Sequence, residues 1–147
     1  TAVAHDCHRM PLTKGCVKPW SSKCVRSSMG GHFHLPIHVN VDLKRLNEYS
    51  IVLVADSGGN EKSNKIDLYQ LESTLLKEKN TRRILLVIGN EARGVSSELL
   101  ERLRETRKVY FVRIPLFSAK IESINCAMAF GIIGYEIRKF LKKKMLT

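Results

Sequence analysis

The sequence predicts an α/β protein with a mostly parallel sheet flanked by helices. Three short apolar runs have the length of β-strands: residues 51–55, 84–88 and 109–114. The first two are continuously apolar, as strands buried on both faces are. Residues 96–105 lie between the last two runs and have helical spacing of leucines, with Ser96 or Ser97 as the N-cap. Strands that alternate with helices favour parallel pairing.

The first 50 residues fit the same scheme in shorter pieces. Ser21 is a candidate N-cap of a short helix that ends near Met29, and Gly30 is suited to close it. Residues 33–36 then predict a strand, and residues 42–49 predict another short helix.

The middle of the chain is less regular. Residues 57–65 are polar and predict a loop within the domain. The following stretch predicts a short strand near residues 67–70 and then a partial helix.

The last predicted helix runs from about residue 122 to 143, and it is apolar in its first half and basic in its second. Ala127, Gly131 and Gly134 are spaced to share one face. A glycine inside a helix costs about 1 kcal/mol, so two of them indicate close approach of another backbone. That backbone belongs either to the domain's own sheet or to the same helix of a second copy, and the pattern leaves both open.

Composition limits the classes of function. The 147 residues are enough for one domain, and their 25 basic and 14 acidic residues give a net charge of +11, which favours a polyanionic partner. The uncharged, largely apolar stretch at residues 123–135 is shorter than the roughly 20 residues of a membrane span. The four cysteines indicate reduced thiols, and the cluster of His5, Cys7 and His8 lacks zinc-site spacing, so we expect no metal.

Two loops follow predicted strands and carry polar groups. The first reads Gly-Asn-Glu-Ala-Arg-Gly-Val-Ser at residues 89–96, and the second reads Ile-Pro-Leu-Phe-Ser-Ala-Lys-Ile-Glu-Ser-Ile-Asn at residues 114–125. Gly89 permits close approach to the backbone, and Gly94 permits positive φ. Loops at the carboxyl ends of parallel strands are where α/β sheets bind ligands.

Together these loops resemble the second and third motifs of the SpoU (TrmH-type) branch of the SPOUT RNA methyltransferases. The upstream segment at residues 15–37, Gly-Cys-Val-Lys-Pro-Trp and onward to His-Leu-Pro-Ile, is similar to the mitochondrial large-subunit rRNA guanosine 2′-O-methyltransferases. The resemblance covers nearly the whole chain.

The resemblance implies a fold with a deep C-terminal trefoil knot and a bound S-adenosylmethionine. It assigns the cofactor to five residues: Ile88, Gly89, Ile114, Leu116 and Ile124. It assigns polar catalytic positions to three more: Glu91, Ser123 and Asn125. It also implies a homodimer through the C-terminal helix, a mitochondrial location (otherwise cytoplasmic), and ribose 2′-O-methylation of rRNA.

The sequence departs from the family in two places. The first motif and the N-terminal RNA-binding extension are absent, so we expect residues 1–147 to be a single methyltransferase domain without its first strand–helix unit. The loop between Leu116 and Ser123 is one residue longer than usual, and Ser118 or Ala119 stands in place of its glycine. These departures leave a second interpretation open, a non-catalytic RNA-binding or ribosome-assembly protein on the same fold.

Basic side chains are the candidates for RNA contact. They are Arg26, Arg93, Lys142, Lys143 and Lys144. The last three lie in a cluster of five basic residues at positions 138–144, which either contacts phosphates or only complements the helix dipole in solvent.

Overall fold

The computed structural model describes residues 1–56, 64–81, 83–90, 93–106, 108–121 and 123–146, without the side chains of residues 43, 45, 47 and 106. The chain forms two compact units, Thr1–Leu46 and Asn47–Thr147. We call them the first and the second unit. None of the described helices is long and apolar enough to cross a membrane.

The first unit consists of short elements. They are β1 (Met10–Pro11), α1 (Ser22–Ser27), β2 (Ile37–His38) and 3₁₀ turns at Val3–His5, Gly31–Phe33 and Leu43–Glu48, the last of which runs into the second unit. β1 and β2 pair in parallel. The predicted cap is confirmed, because the Ser21 hydroxyl accepts a hydrogen bond from the Cys24 amide at 3.4 Å.

The strand predicted at residues 33–36 is wrong. Gly30 has a φ of +83°, and the chain enters a 3₁₀ turn there instead of extending. Pro36 has no amide hydrogen to donate to a ladder, and only its carbonyl pairs, with the Met10 amide. The strand therefore starts one residue after the predicted segment, at Ile37.

The second unit is the predicted parallel sheet with helices. Its elements are β3 (Ile51–Asp56), β4 (Lys65–Asp67), α2 (Leu71–Leu76), β5 (Ile84–Val87), α3 (Ser97–Thr106), β6 (Lys108–Arg113) and α4 (Cys126–Met145). The strand order is β4-β6-β3-β5, and every pair is parallel. This arrangement brings the carboxyl ends of β3, β5 and β6 to one edge of the sheet.

Three boundaries differ from the prediction or refine it. β4 ends at Asp67 because the Asp67 amide bonds the Gln70 side chain at 3.0 Å and starts a helical turn, so the strand predicted at residues 67–70 is wrong. α4 begins at Cys126, since the Asn125 side chain accepts from the Ala127 amide. The capping hydroxyl of α3 is that of Ser96. Most of the polar loop predicted at 57–65 lies outside the described residues.

The core lies between the sheet, α2 and α4. Its buried members are Ile51, Leu53, Leu71, Leu75, Val112, Ile133 and Phe140. On α4, Gly134 is buried, Gly131 is half-buried and Ala127 is exposed. Packing within the chain therefore accounts for Gly134 and leaves Ala127 open to solvent.

Candidate active site

A cavity of about 390 Å³ opens at the carboxyl ends of β3, β5 and β6. Pockets for small molecules span roughly 300–1,000 Å³ and combine apolar walls with a few polar groups. The lining residues here are Ala55, Asp56, Ile88, Gly89, Asn90, Gly94, Val112, Arg113, Ile114, Pro115, Leu116, Ser118, Ile121, Ser123, Ile124, Cys126, Ala129 and Ile133. Both motif loops contribute to this wall.

The loop after β5 is closed by its own backbone. The Asn90 amide donates to the Gly94 carbonyl at 2.9 Å, and the Gly94 amide donates back to the Asn90 carbonyl at 2.8 Å. The Asn90 side chain also accepts from the Arg93 amide at 3.1 Å. Gly94 has a φ of +63°, which confirms the predicted positive φ.

Gly89 is required by this closure. A Cβ atom at Gly89 would lie 2.5 Å from the Gly94 carbonyl carbon and 2.7 Å from the Val95 nitrogen. Real Cβ atoms do not approach backbone that closely, so a side chain at this position opens the loop. The sequence suggested that Gly89 makes room for a ligand; the structure adds that it makes room for the loop itself.

The second loop meets the first at the start of α4. The Cys126 thiol donates to the Gly89 carbonyl at 3.3 Å. Cys126 is the first residue of α4, held there by the Asn125 cap at 2.8 Å to the Ala127 amide. The cap thus fixes the helix start against the closed loop, and the cavity lies beside this contact.

Charged groups border the cavity at the strand ends. Asp56 and Arg113 are paired in the β3–β6 register and both line the cavity. Lys65 lies 3.5 Å from the Asp56 carboxylate, and the Arg113 guanidinium donates to Asp67 at 2.8 Å. The hydrogen bond from Arg113 lowers the pKa of Asp67, and the same bond raises that of Arg113. Acidic and basic side chains therefore lie next to each other at this end of the sheet.

The structure gathers most of the residues that the sequence singled out. Ile88, Gly89, Ile114, Leu116 and Ile124, the five assigned to the cofactor, all line the cavity, and so does Ser123. Asn125 caps α4, and Glu91 lies outside the described residues. The chemical roles of all these residues stay predictions.

Sequence reasoning missed Asp56, Asn90, Arg113 and Cys126 in the cavity wall. Asp56 ends a buried strand, so the rule that ligands bind at carboxyl ends could have found it. Arg113 would follow from the same rule. Cys126 is half-buried, and its thiol donates a hydrogen bond to the loop after β5.

The candidate RNA contacts are all exposed but differ in their partners. Arg26 lies in the last turn of α1, and the Arg93 backbone is part of the closed loop. Near the end of α4, Lys143 forms an ion pair with Glu72 at 2.7 Å, and Lys144 donates to the Thr81 hydroxyl at 2.7 Å.

None of the four cysteines forms a disulfide. Over the residues that the structure describes, no group of three or more His, Cys, Asp or Glu side chains has the arrangement of a metal site.

Comparisons with known proteins agree on one family. A model described as the SpoU rRNA Methylase family matches residues 1–135. The chain is 33% identical over 175 residues to rRNA methyltransferase 3A, mitochondrial, of Danio rerio, covering 95% of this chain and 39% of that protein. It is 28% identical over 142 residues to the 23S rRNA (guanosine(2553)-2′-O)-methyltransferase RlmP of Bacillus subtilis, covering 94% of this chain and 50% of that protein.

The fold matches solved structures as well. An AdoMet-bound rRNA methyltransferase from Sinorhizobium meliloti superposes with a TM-score of 0.72 at 26% identity, covering 95% of this chain and 49% of that one. The chain spans about half or less of the length of these relatives.

Proposed function

Since the chain belongs to the SpoU rRNA methylase family, we propose that it binds S-adenosylmethionine in the cavity and directs its methyl group to a ribose 2′-hydroxyl of rRNA. The proposed target is a guanosine of mitochondrial large-subunit rRNA, in line with the mitochondrial relatives and with the guanosine 2′-O-methyltransferase of Bacillus subtilis. The single observation that carries the proposal is the convergence of both motif loops on one cavity.

The cavity suits this cofactor. S-adenosylmethionine supplies a methyl group on a positively charged sulfur, and it presents adenine, ribose and an amino acid. Ile88, Ile114 and Ile124 offer apolar surface for the adenosine, and the backbone of the two loops offers donors and acceptors. Asp56 offers a carboxylate to a positively charged group. A solved relative bound to AdoMet has the same fold.

The residues of the chain align the ribose and accept its proton. With S-adenosylmethionine bound, its positively charged sulfur would release the methyl group to the ribose oxygen, and the hydroxyl proton would pass to a base of the chain. We assign the polar groups of this step to Glu91, Ser123 and Asn125. Ser123 lies in the cavity wall, which supports its role, and Asn125 positions α4 beside it.

Methyl transfer and cofactor binding are tested separately. Calorimetry measures binding of S-adenosylmethionine to the chain. A second titration uses its stable analogue, S-adenosylhomocysteine. Ala129→Leu adds a larger side chain inside the cavity, and we expect it to weaken binding by at least about tenfold. Ala4→Leu makes the same change at an exposed residue of the first unit that does not line the cavity, and it should leave the affinity unchanged.

A radioactive methyl group then follows transfer to large-subunit rRNA, and nuclease digestion identifies the product. The expected product is 2′-O-methylguanosine. Cofactor binding that is equal in parent and Ala129→Leu would place the cofactor elsewhere. Tight cofactor binding without transfer to any ribose, by this chain and by any longer natural form of it, would favour the non-catalytic interpretation.

The same proposal includes a homodimer through α4. Met128, Ile132 and Tyr135 are apolar or aromatic, follow helical spacing and are exposed, so a second copy of the helix has a surface to cover. Ile132→Lys should shift sedimentation towards the monomer, because it places a charge in that surface. A dimer that survives Ile132→Lys, or a parent that is monomeric at micromolar concentration, would overturn this part.

We also propose that the C-terminal part of the second unit threads the trefoil knot that the family resemblance implies, and that the protein acts in mitochondria. The matched fold and the mitochondrial relatives support these two points.

A further inference from the structure

Residues 18–33 of the first unit carry aromatic and basic side chains, all exposed except the half-buried His32, that the proposed active site does not use. We call these side chains the aromatic–basic patch: Lys18, Trp20, Lys23, Arg26, His32 and Phe33. Trp20 is 59% exposed and Phe33 is 74% exposed. None of the six residues lines the cavity. Large aromatic rings are costly to leave in water, so their exposure beside cations calls for an explanation.

Trp20 is held in place rather than loose. Its ring meets the His32 ring edge-on, with centroids 5.2 Å apart and planes inclined by 60°. The His32 Nε2 atom lies 2.7 Å from the Pro19 carbonyl oxygen, and because that oxygen can only accept, Nε2 donates. His32 is thus fixed to the residue before Trp20, and the indole has a supported position with most of its surface still exposed.

The cations near Trp20 in the sequence have no acidic partner among the described residues. The sequence holds no Asp or Glu between Asp6 and Asp42. Among the residues that the structure describes, no carboxylate forms an ion pair with Lys18, Lys23 or Arg26. Lys23 and Arg26 are three residues apart on α1 and so lie on the same side of the helix. Their charge is available to an anion outside the chain.

Supported aromatic rings beside unpaired cations are the combination that binds single-stranded nucleic acid. The ring stacks a base, and the cations contact the phosphates on either side of it. An acidic protein could also cover an indole, but the proposed rRNA substrate already requires this chain to bind RNA. A base with its phosphates uses both.

We propose that Trp20, supported by His32 and within six residues of Lys18, Lys23 and Arg26 in the sequence, stacks an unpaired base of the RNA that the protein methylates. This inference rests on the proposed function only in taking RNA as the substrate. It adds that the RNA is bound in a single-stranded segment and that one of its bases contacts the first unit.

Trp20 is the only tryptophan in the chain, so its fluorescence reports on this contact directly. The full chain is titrated with a short oligoribonucleotide that cannot pair with itself. The matched probe is an oligomer of the same length and phosphate number whose bases are missing. We expect quenching by the base-bearing oligomer and none by the abasic one at equal occupancy.

Substitutions separate stacking from charge. Trp20→Ala should weaken binding of labelled RNA roughly 5- to 150-fold, the range that one stacked base accounts for. Trp20→Phe should recover part of that loss, because the smaller ring still stacks. Tyr69→Ala removes another exposed aromatic, from the second unit, and should have no effect. Lys23→Gln should weaken binding more than Lys79→Gln, an exposed lysine of the second unit.

Two results would overturn the inference. One is equal binding of intact and abasic oligomers with no change in fluorescence, which would make the contact purely electrostatic. The other is equal quenching by polyglutamate or by vesicles of anionic phospholipid, which would assign the patch to a protein or a membrane. Cofactor calorimetry on the same samples keeps the two proposals apart, since binding of S-adenosylmethionine does not depend on Trp20. Should Trp20→Ala fail to fold, the fluorescence of the parent decides the question.

Discussion

The two units of the chain carry similar net charge but differ in how many of their basic side chains form ion pairs. The first has seven basic and two acidic residues, a net charge of +5, and the second has 18 basic and 12 acidic residues, a net charge of +6. In the described part of the second unit, ion pairs join basic side chains to carboxylates, among them Lys65–Asp56, Arg83–Glu48, Lys108–Glu78, Arg113–Asp67, Lys139–Glu136 and Lys143–Glu72.

In the first unit the exposed cations Lys14, Lys18, Lys23 and Arg26 have no such partner among the described residues. Net charge alone would therefore rank the two units as equal partners for a polyanion. Ion pairing within the chain distinguishes them, because a cation that already has a carboxylate gains less from a phosphate. The second unit is organised around a sheet and a cavity, and the first offers unpaired charge and exposed rings.

The largest effect that we expect comes from the second unit's closed loop. Gly89→Ala places a methyl group 2.5 Å from backbone and should cost about 3 kcal/mol of unfolding free energy, the upper range for overpacking, and abolish cofactor binding. Gly94→Ala meets no atom within 4 Å but has a φ of +63°, so it should cost about 1–2 kcal/mol. Denaturant titration and calorimetry measure both.

Gly30→Ala is the matched control from the first unit, with a φ of +83° and open space. It should resemble Gly94→Ala in stability and leave cofactor binding intact. If Gly89→Ala cost no more than these two, the loop after β5 would be free to rearrange, and its closed geometry would not define the cavity.

The sequence predicts the second unit better than the first for a physical reason. β3 and β5 are continuous apolar runs whose burial on both faces specifies them locally. β4 consists of Lys65, Ile66 and Asp67, and it is a strand only because β6 provides its partner. β2 has two residues and depends in the same way on β1. Pairing between distant segments leaves little trace in a short local pattern.

The cavity wall likewise contains residues that local sequence motifs reveal and residues that only contacts between distant segments bring in. The residues that we assign to the cofactor could be named from the sequence because their loops carry family motifs. Asp56 and Arg113 enter the cavity wall through the register of β3 against β6, and Cys126 through its bond to Gly89. Neither the register nor that bond is encoded in adjacent residues.

A smaller loss of stability should follow from changing the hydrogen bonds to Glu78, whose carboxylate accepts from two side chains. Its Oε1 atom accepts from the Tyr110 hydroxyl at 2.5 Å and from Lys108 at 3.1 Å. Burial, together with this bond to Glu78, raises the pKa of Tyr110 to about 12. Tyr110→Phe should cost about 1–2 kcal/mol near neutral pH, because it removes a hydrogen bond to a charged group.

The pH dependence identifies this bond. A tyrosine whose pKa is higher in the folded state than the ordinary 10.0 stabilises the fold fully below pH 10, and it loses that contribution as pH rises towards about 12. The difference in unfolding free energy between parent and Tyr110→Phe should therefore shrink over that range. Tyr69→Phe, at an exposed tyrosine, should show no such trend. A difference that stays constant with pH would mean that Tyr110 contributes by packing alone.

The smallest effect should come from the lysines at the end of α4. Each phosphate contact that is lost flattens the plot of log affinity against log salt by roughly 0.7–0.9. Lys143 is paired with Glu72, and the hydrogen bond from Lys143 lowers the pKa of Glu72. Lys144 donates a hydrogen bond to the Thr81 hydroxyl. Because two of the three lysines already have partners, replacing Lys142, Lys143 and Lys144 with Gln should flatten the slope by less than about one. The same triple change at Lys18, Lys23 and Arg26 should flatten it by about two, since no residue in the described part of the chain pairs with these cations. Filter binding of RNA across a salt series measures both slopes.

The opposite order of the two slopes would mean that the α4 lysines exchange their partners for phosphates. Pairing within the chain would then not decide which unit contacts the RNA.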